Sequence, residues 1–320
     1  MKTNKVRHHY IPRFLLRPFC YEKEVLNFYD KKTRTIKARK IEETFMERDL
    51  YRDSFNNPED PIKLENDFAK YEGEVAKIIA KFRDENIDEI ILSRKDEDSL
   101  KLFFALMPFR SAYTGMLFGE NDDPLFNEFY SIYNKEGDLR VFWKRNLEYI
   151  VQCRSWKEVL DNSDIADPIK IFMQRDADGF FGSSFVIAER RGQEEFIFGD
   201  AFPAKVNSVT PTGGELPYFY FYPISPNRIL ILVSNLIALA PNYIFGFDKK
   251  IFKLPSYCGS TNVSRHKVSK IYEGDVRKIN AIIAHESTEG FILHDEEHVS
   301  VDRFEEEYAN WEQNNGSAWI

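Results

Sequence analysis

The chain has 320 residues, 43% of them hydrophobic and 15% aromatic, enough to build a substantial core and to exclude a disordered polypeptide. Its 52 acidic against 44 basic residues give a formal charge of -8, which argues against coating nucleic acid through an overall field while leaving room for a local basic groove. Three scattered cysteines, Cys20, Cys153 and Cys258, read as small hydrophobes of a reducing cytoplasm and form neither a disulfide framework nor a clustered thiolate site.

The first element is the stretch His8-His9-Tyr10-Ile11-Pro12. Pro12 suits the first turn of a short helix whose Phe14, Leu15 and Phe19 tie it to a core, so the histidine pair is expected at a rigid, locally basic corner. Val25 to Asp30 and Arg34 to Ala38 then read as a hairpin whose lysine-rich outer face guards an edge. Apolar residues recurring every three or four positions predict a helix from Pro61 to Phe82 that carries Glu65 and Glu72 on one face. A second helix is expected from Asp96 to about Phe118, kinked at Pro108, with Arg110 just beyond the kink and in need of a carboxylate partner. Two more helices, about Pro124 to Tyr133 and Asp138 to Val151, complete a mainly helical section.

Asp, Asn, Ser and Pro accumulate from Ser155 to Pro168, the best compositional boundary. Beyond it, Ser184 to Ala188, Phe196 to Phe198, Tyr218 to Tyr222 and Ile229 to Val233 read as strands. Gly213-Gly214 reads as a hairpin loop, lacking the lysine and following helix of a phosphate loop. A helix near Val276 to His285, a strand at Phe291 to Leu293 and an acidic helix near Val301 to Trp311 close the chain. The longest apolar run, Ile229 to Ala240, is too short for a bilayer, so a cytoplasmic protein with no membrane partner is expected. The fold class that follows is α+β, with a helical first half packed on a largely antiparallel β second half.

Six pieces, taken in this order, resemble the domain-of-unknown-function family numbered 4238. They are His8-His9-Tyr10-Ile11-Pro12 with Phe19, Leu64-Glu65 with Tyr71-Glu72, Phe109-Arg110, Gly199-Asp200-Ala201-Phe202-Pro203, Tyr222-Pro223-Ile224-Ser225-Pro226 and Val276-Arg277-Lys278-Ile279-Asn280. The family's usual Thr-Ser-Asp-x-Pro run stands here without its hydroxyl residues and with one residue added before Pro203, which counts against a role needing a hydroxyl beside Asp200. The resemblance implies one domain over residues 1–320 rather than a division near 155–168, and it brings no established activity.

His8, His9, Glu65, Glu72, Arg110, Asp200 and Asn280 are residue types from which a hydrolytic site is built. Histidine and carboxylates hold a divalent cation or move protons, and arginine neutralises charge developing on a phosphate. His9 takes first place in the pair through its His9-x-x-Pro12 spacing. The expected function is a hydrolase on a phosphodiester or other phosphate-bearing substrate, nuclease-like, with nucleic acid as its substrate and a bacterial toxin or phage-defence setting. It would use no organic cofactor, and whether it binds a metal is open. The alternative is a non-catalytic recognition or assembly module: the same residues form a buried network with an Arg110 to Glu72 pair, and Tyr218 to Tyr222 offers an aromatic face to a protein partner or a second copy. Near the end, His294-Asp295-Glu296-Glu297-His298 has the H-x-x-E-H spacing of inverted zinc peptidases, but that motif needs a helix, and after a strand an acidic turn is expected.

Overall fold

A computed structural model gives the fold and describes residues 6–119, 122–133, 137–173, 182–209, 215–235, 245–258 and 262–315. The predicted loop at Gly213-Gly214 and the apolar run beyond Asn235 lie outside the described residues. The strands in chain order are β1 (Arg7–His9), β2 (Cys20–Glu22), β3 (Val25–Asp30), β4 (Thr35–Lys40), β5 (Met46–Arg48), β6 (Glu89–Ser93), β7 (Ser183–Arg191), β8 (Phe198–Gly199), β9 (Ala204–Val209), β10 (Glu215–Pro223), β11 (Arg228–Ser234), β12 (Ser256–Cys258), β13 (Val263–Tyr272) and β14 (Gly290–Leu293). The fold is α+β, but six of these strands precede residue 94, so a helical half followed by a β half is too simple a description.

The chain divides into two compact units, each assembled from separate segments: Met1–Pro12, Phe45–Ile78 and Lys95–Ala177 form the first, and Arg13–Thr44, Ile79–Arg94 and Asp178–Ile320 the second. The compositional change at 155–168 falls inside a segment of the first unit, which runs on to Ala177.

The first unit is mainly helical. Its long helix Lys63–Arg83, which runs on into the second unit, buries Leu64, Phe68, Tyr71, Val75 and Ile78 on one stripe. The helix Arg94–Phe109 is buried along most of its length. Pro108 lies in its last turn and the chain breaks at Arg110 and Ser111, so the single kinked helix expected to reach Phe118 is instead two. Ser111 caps the second, Ala112–Leu117, by accepting from the Thr114 amide at 3.1 Å, and the Thr114 hydroxyl returns to the Pro108 carbonyl at 2.8 Å. Helices Pro124–Ser131 and Leu139–Ile150 follow, capped by Asp123 and Asp138. The only sheet described in this unit pairs β1 with β5, antiparallel.

The second unit holds the larger sheets. Seven strands run in the order β12-β13-β7-β11-β10-β9, with β6 also on β13, and every pair is antiparallel except β13 with β7. All seven residues of β11 are buried, which explains why it reads as an unbroken apolar run rather than an alternating one. Tyr218 to Tyr222 are buried on both faces of β10, so this aromatic ladder is core and presents no partner surface. The helix Glu273–Glu286 adds Val276, Ile279, Ile282 and Ile283 to that core. The five-stranded sheet β2-β3-β14-β8, with β4 on β3, joins residues from both ends of the chain, and a Cβ at Gly290 would collide with the Tyr29 carbonyl. Arg228, fully buried, places its guanidinium on Glu189 (2.5 and 2.9 Å) and on the carbonyls of Phe82, Asp84 and Ile87, satisfying the end of the long helix.

Candidate functional site

His8 and His9 lie on a strand, not at the mouth of a helix, so successive side chains point to opposite faces: His8 is fully buried and His9 half-buried. The two imidazoles therefore do not converge. The Tyr51 amide donates to His8 Nδ1 at 2.8 Å, and the two rings stack with an interplanar angle of 9°. A nitrogen that accepts an N–H bears no proton, so the neutral ring carries its proton on Nε2, which is buried with no hydrogen-bond partner among the described residues. Burial lowers the His8 pKa to about 4, with Asp49 opposing and Lys144 and Arg52 assisting. His8 is thus a neutral donor whose lone pair is already used, unsuited to general-base or metal-ligand work.

Arg110 is the hub of this unit. Its Nη1 meets Glu72 Oε1 at 2.6 Å, its Nη2 donates to the His9 carbonyl at 2.9 Å, and its Nε lies 3.3 Å from the Tyr51 hydroxyl. The Tyr51 hydroxyl donates to the Arg110 carbonyl at 2.5 Å, and the guanidinium lies over the Phe68 ring at 3.8 Å. Burial alone would lower the Arg110 pKa, but Tyr51 and Glu72 raise it above the ordinary value, so the charge is held. Burial raises the pKa of Tyr51, opposed by Arg110 and reinforced by the charges of Glu65 and Glu72. The expected carboxylate partner of Arg110 is Glu72, 19% exposed against 2% for the arginine. Five of the seven predicted residues, His8, His9, Glu65, Glu72 and Arg110, belong to the first unit.

Asp200 and Asn280 belong to the second unit, and backbone groups occupy both. The Asp200 carboxylate accepts from the amides of Thr288 (2.7 Å), Glu289 (2.5 Å) and Gly290 (3.4 Å), holding the turn between the helix Glu273–Glu286 and β14. Burial pushes its pKa up even though those amides work the other way. Asn280, fully buried, accepts from the Ile197 amide at 3.1 Å and donates to the Glu195 carbonyl at 2.7 Å. Each of these side chains is fastened to its own unit's backbone.

The residue that Asn280 holds in place is one the sequence reading passed over. Glu195 is buried, and its carboxylate faces two imidazoles and a guanidinium: His294 Nδ1 at 3.2 Å, His298 Nδ1 at 3.7 Å and Arg190 Nη2 at 3.3 Å. His298 Nδ1 also lies 3.2 Å from Asp295. Both imidazoles are more than a third exposed, so a carboxylate faces Nδ1 of each ring while the ring keeps an open side. The acidic turn expected here is a single 3-10 turn, Glu296–His298, not the helix a zinc peptidase motif requires. The available signal was the pair of histidines four apart, but their carboxylate stands 99 residues earlier than His294. Among the described residues no three histidine, cysteine, aspartate or glutamate side chains are arranged to hold a metal ion.

Among the described residues no helix is long and apolar enough to cross a membrane. No curated protein and no solved structure matches the chain. A family model with the description "Protein of unknown function (DUF4238)" matches from just before the histidine pair to the second histidine of the Glu195 cluster. That family model spans residues 7–298, and the chain belongs to the family.

Proposed function

We propose that the protein is a recognition or assembly module that docks a partner through the outward face of the helices Ala112–Leu117 and Pro124–Ser131. One observation carries the reading. In the second helix Phe126 and Tyr130 pack inward against Phe118, yet Leu125, Phe129 and, at the C-cap, Ile132, spaced i, i+4 and i+7, are 75%, 43% and 73% exposed. A helix apolar on both sides is normally buried on both, and Tyr113 and Met116 on the neighbouring helix are exposed as well. The backbone bonds made by the side chains of His8, Arg110, Asp200 and Asn280 support the same reading, since none of them needs a substrate. A photo-crosslinking residue at Leu125 should form one discrete adduct in the native cell extract, lost when Phe129 and Ile132 are both changed to serine. No adduct, or one indifferent to those changes, rules the surface out.

A second reading, the hydrolase of phosphate-bearing substrates, draws on the imidazole pair at Glu195. It stands second because a carboxylate repels a phosphate: Asp295 lies 3.2 Å from His298 Nδ1, and Glu296 and Glu297 follow Asp295 in the chain. With Mg²⁺, Mn²⁺ or Zn²⁺ supplied, RNA, DNA or bis(p-nitrophenyl) phosphate should be turned over by the native protein. His294→Gln or His298→Gln should abolish turnover without moving the melt. Loss in His9→Ala alone, with the melt unchanged, would return the chemistry to the N-terminal pair, and no turnover with any metal ends the hydrolase reading.

A further inference from the structure

The exposed stripe has a charge as well as a shape. From Ser111 to Tyr133 the sequence contains no lysine or arginine and four acids, Glu120, Asp122, Asp123 and Glu128. Asp122, Asp123 and Glu128 are exposed, and Glu128, three residues after Leu125 and four before Ile132, borders the apolar stripe on the same helix. Arg140, whose side chain packs against Gly119, is paired with Glu47 at 3.3 Å, so Glu128 and the two exposed aspartates set the rim's charge and make the face apolar along its centre and negative beside it.

Resting on the recognition reading, we propose that the occupant of this face is an amphipathic helix of another protein, apolar along one side and rich in lysine or arginine beside it. An i, i+4, i+7 stripe on one helix packs by interleaving its ridges with those of a second helix, which selects a helical occupant over an extended one. Charge selects among helical and other partners. A second copy docked face to face would set two acidic segments, neither carrying a lysine or arginine, against each other, and like charges across an interface disfavour it. An anionic membrane attracts helices whose polar side carries lysine and arginine, and this one carries none. Nucleic acid meets the same repulsion, since its binding is driven by cations that the segment lacks. A cationic helix alone satisfies both the stripe and its rim.

The test uses the full chain and a fluorescent model helix of about 18 residues, leucine at i, i+3, i+4 and i+7 with lysine elsewhere. Two controls accompany it, one with glutamate for lysine and one with the same composition scrambled. In an anisotropy titration the lysine helix should bind at least about tenfold more tightly than either control. Phe129→Ser with Ile132→Ser should weaken it by about tenfold or more, the loss expected for two large apolar contacts. Glu128→Gln, a surface change that leaves packing alone, should weaken it severalfold at low salt and much less at about 0.5 M. Equal binding of the scrambled peptide would mean attraction to the chain's net charge and would overturn the proposal. So would binding indifferent to Phe129 and Ile132, face-dependent dimers in sedimentation, or adsorption to vesicles of anionic lipid that the two serines abolish. Failure here beside a retained Leu125 crosslink removes the cationic helix and keeps the recognition reading. Failure of both removes the face itself.

Discussion

Arg110 is taken out of water almost completely, and the side chain is tolerable there because every face of the guanidinium is used: a carboxylate, a carbonyl, a hydroxyl and the Phe68 ring. Removing Glu72 alone would leave an uncompensated charge, so the pair is costly to break although it adds little net stability over an apolar replacement. His8 beside it is the residue whose protonation the fold opposes. Its folded pKa, about 4, lies below the ordinary 6.5, so between those values the unfolded chain binds more protons than the native one. Stability contributed by His8 is therefore complete above pH 6.5 and is lost as the pH falls toward 4, on the order of 3 kcal/mol. His8→Asn keeps an acceptor for the Tyr51 amide but cannot titrate. Urea midpoints across this range should fall steeply in the native protein and more gently in the variant; parallel curves would show that some other group governs the acid limb.

At the scale of elements, the helices were legible because one repeating face decides them. The long helix expected from Pro61 to Phe82 is Lys63–Arg83, and that expected from Asp138 to Val151 is Leu139–Ile150 with Asp138 as its cap. The hairpin at residues 25 to 38 and the β10–β11 pair were legible too, since β-branched and aromatic runs flank clear turn residues. The longest strand, β13, was not. Ser264, His266 and Ser269 are among its buried positions, held by hydrogen bonds to one another or to neighbouring strands, so its inward face reads as polar. β1 was hidden for a related reason: with three residues there is no period to see, and Pro12, read as the first turn of a helix, left the histidines at a corner before it rather than on a strand. Of the site, the Arg110 to Glu72 pair was legible because buried arginine demands a carboxylate. The Glu195 cluster was not, because sequence spacing cannot show a contact made across a fold.

For the whole molecule, the chain passes from one unit to the other at Pro12 and Arg13, so the opening stretch serves both: β1 belongs to the first, and the buried Leu15, Leu16 and Phe19 to the second. Deleting residues 1–19 removes Ile11 and those three side chains, each worth about 1.5 to 3 kcal/mol when fully buried, from a fold whose stability is of the usual 5 to about 15 kcal/mol. The truncated chain should show no cooperative melt, whereas deleting residues 1–5, a polar terminal run, should leave the melt within a degree or two. A sharp transition from the 20–320 fragment would contradict the placement of that stretch in two cores.

The pairing of β3 with β14 sets an order of events on the ribosome. Asn27 donates to the His294 carbonyl across 267 positions, so at about 5 to 20 residues per second the early hairpin waits roughly 13 to 50 s for the strand that completes its sheet. Throughout that interval the stretch of β3 from Asn27 to Asp30 offers an unpaired edge to any other nascent chain. Lys31, which in the finished fold donates to the Ala284 and Ser287 carbonyls, lacks those carbonyls until then, and with Lys32, Arg34 and Lys37 it keeps the waiting hairpin cationic. The same lysines thus act twice, first as a deterrent to premature β-pairing during synthesis and then, through Lys31, as a clasp for the late-arriving helix end.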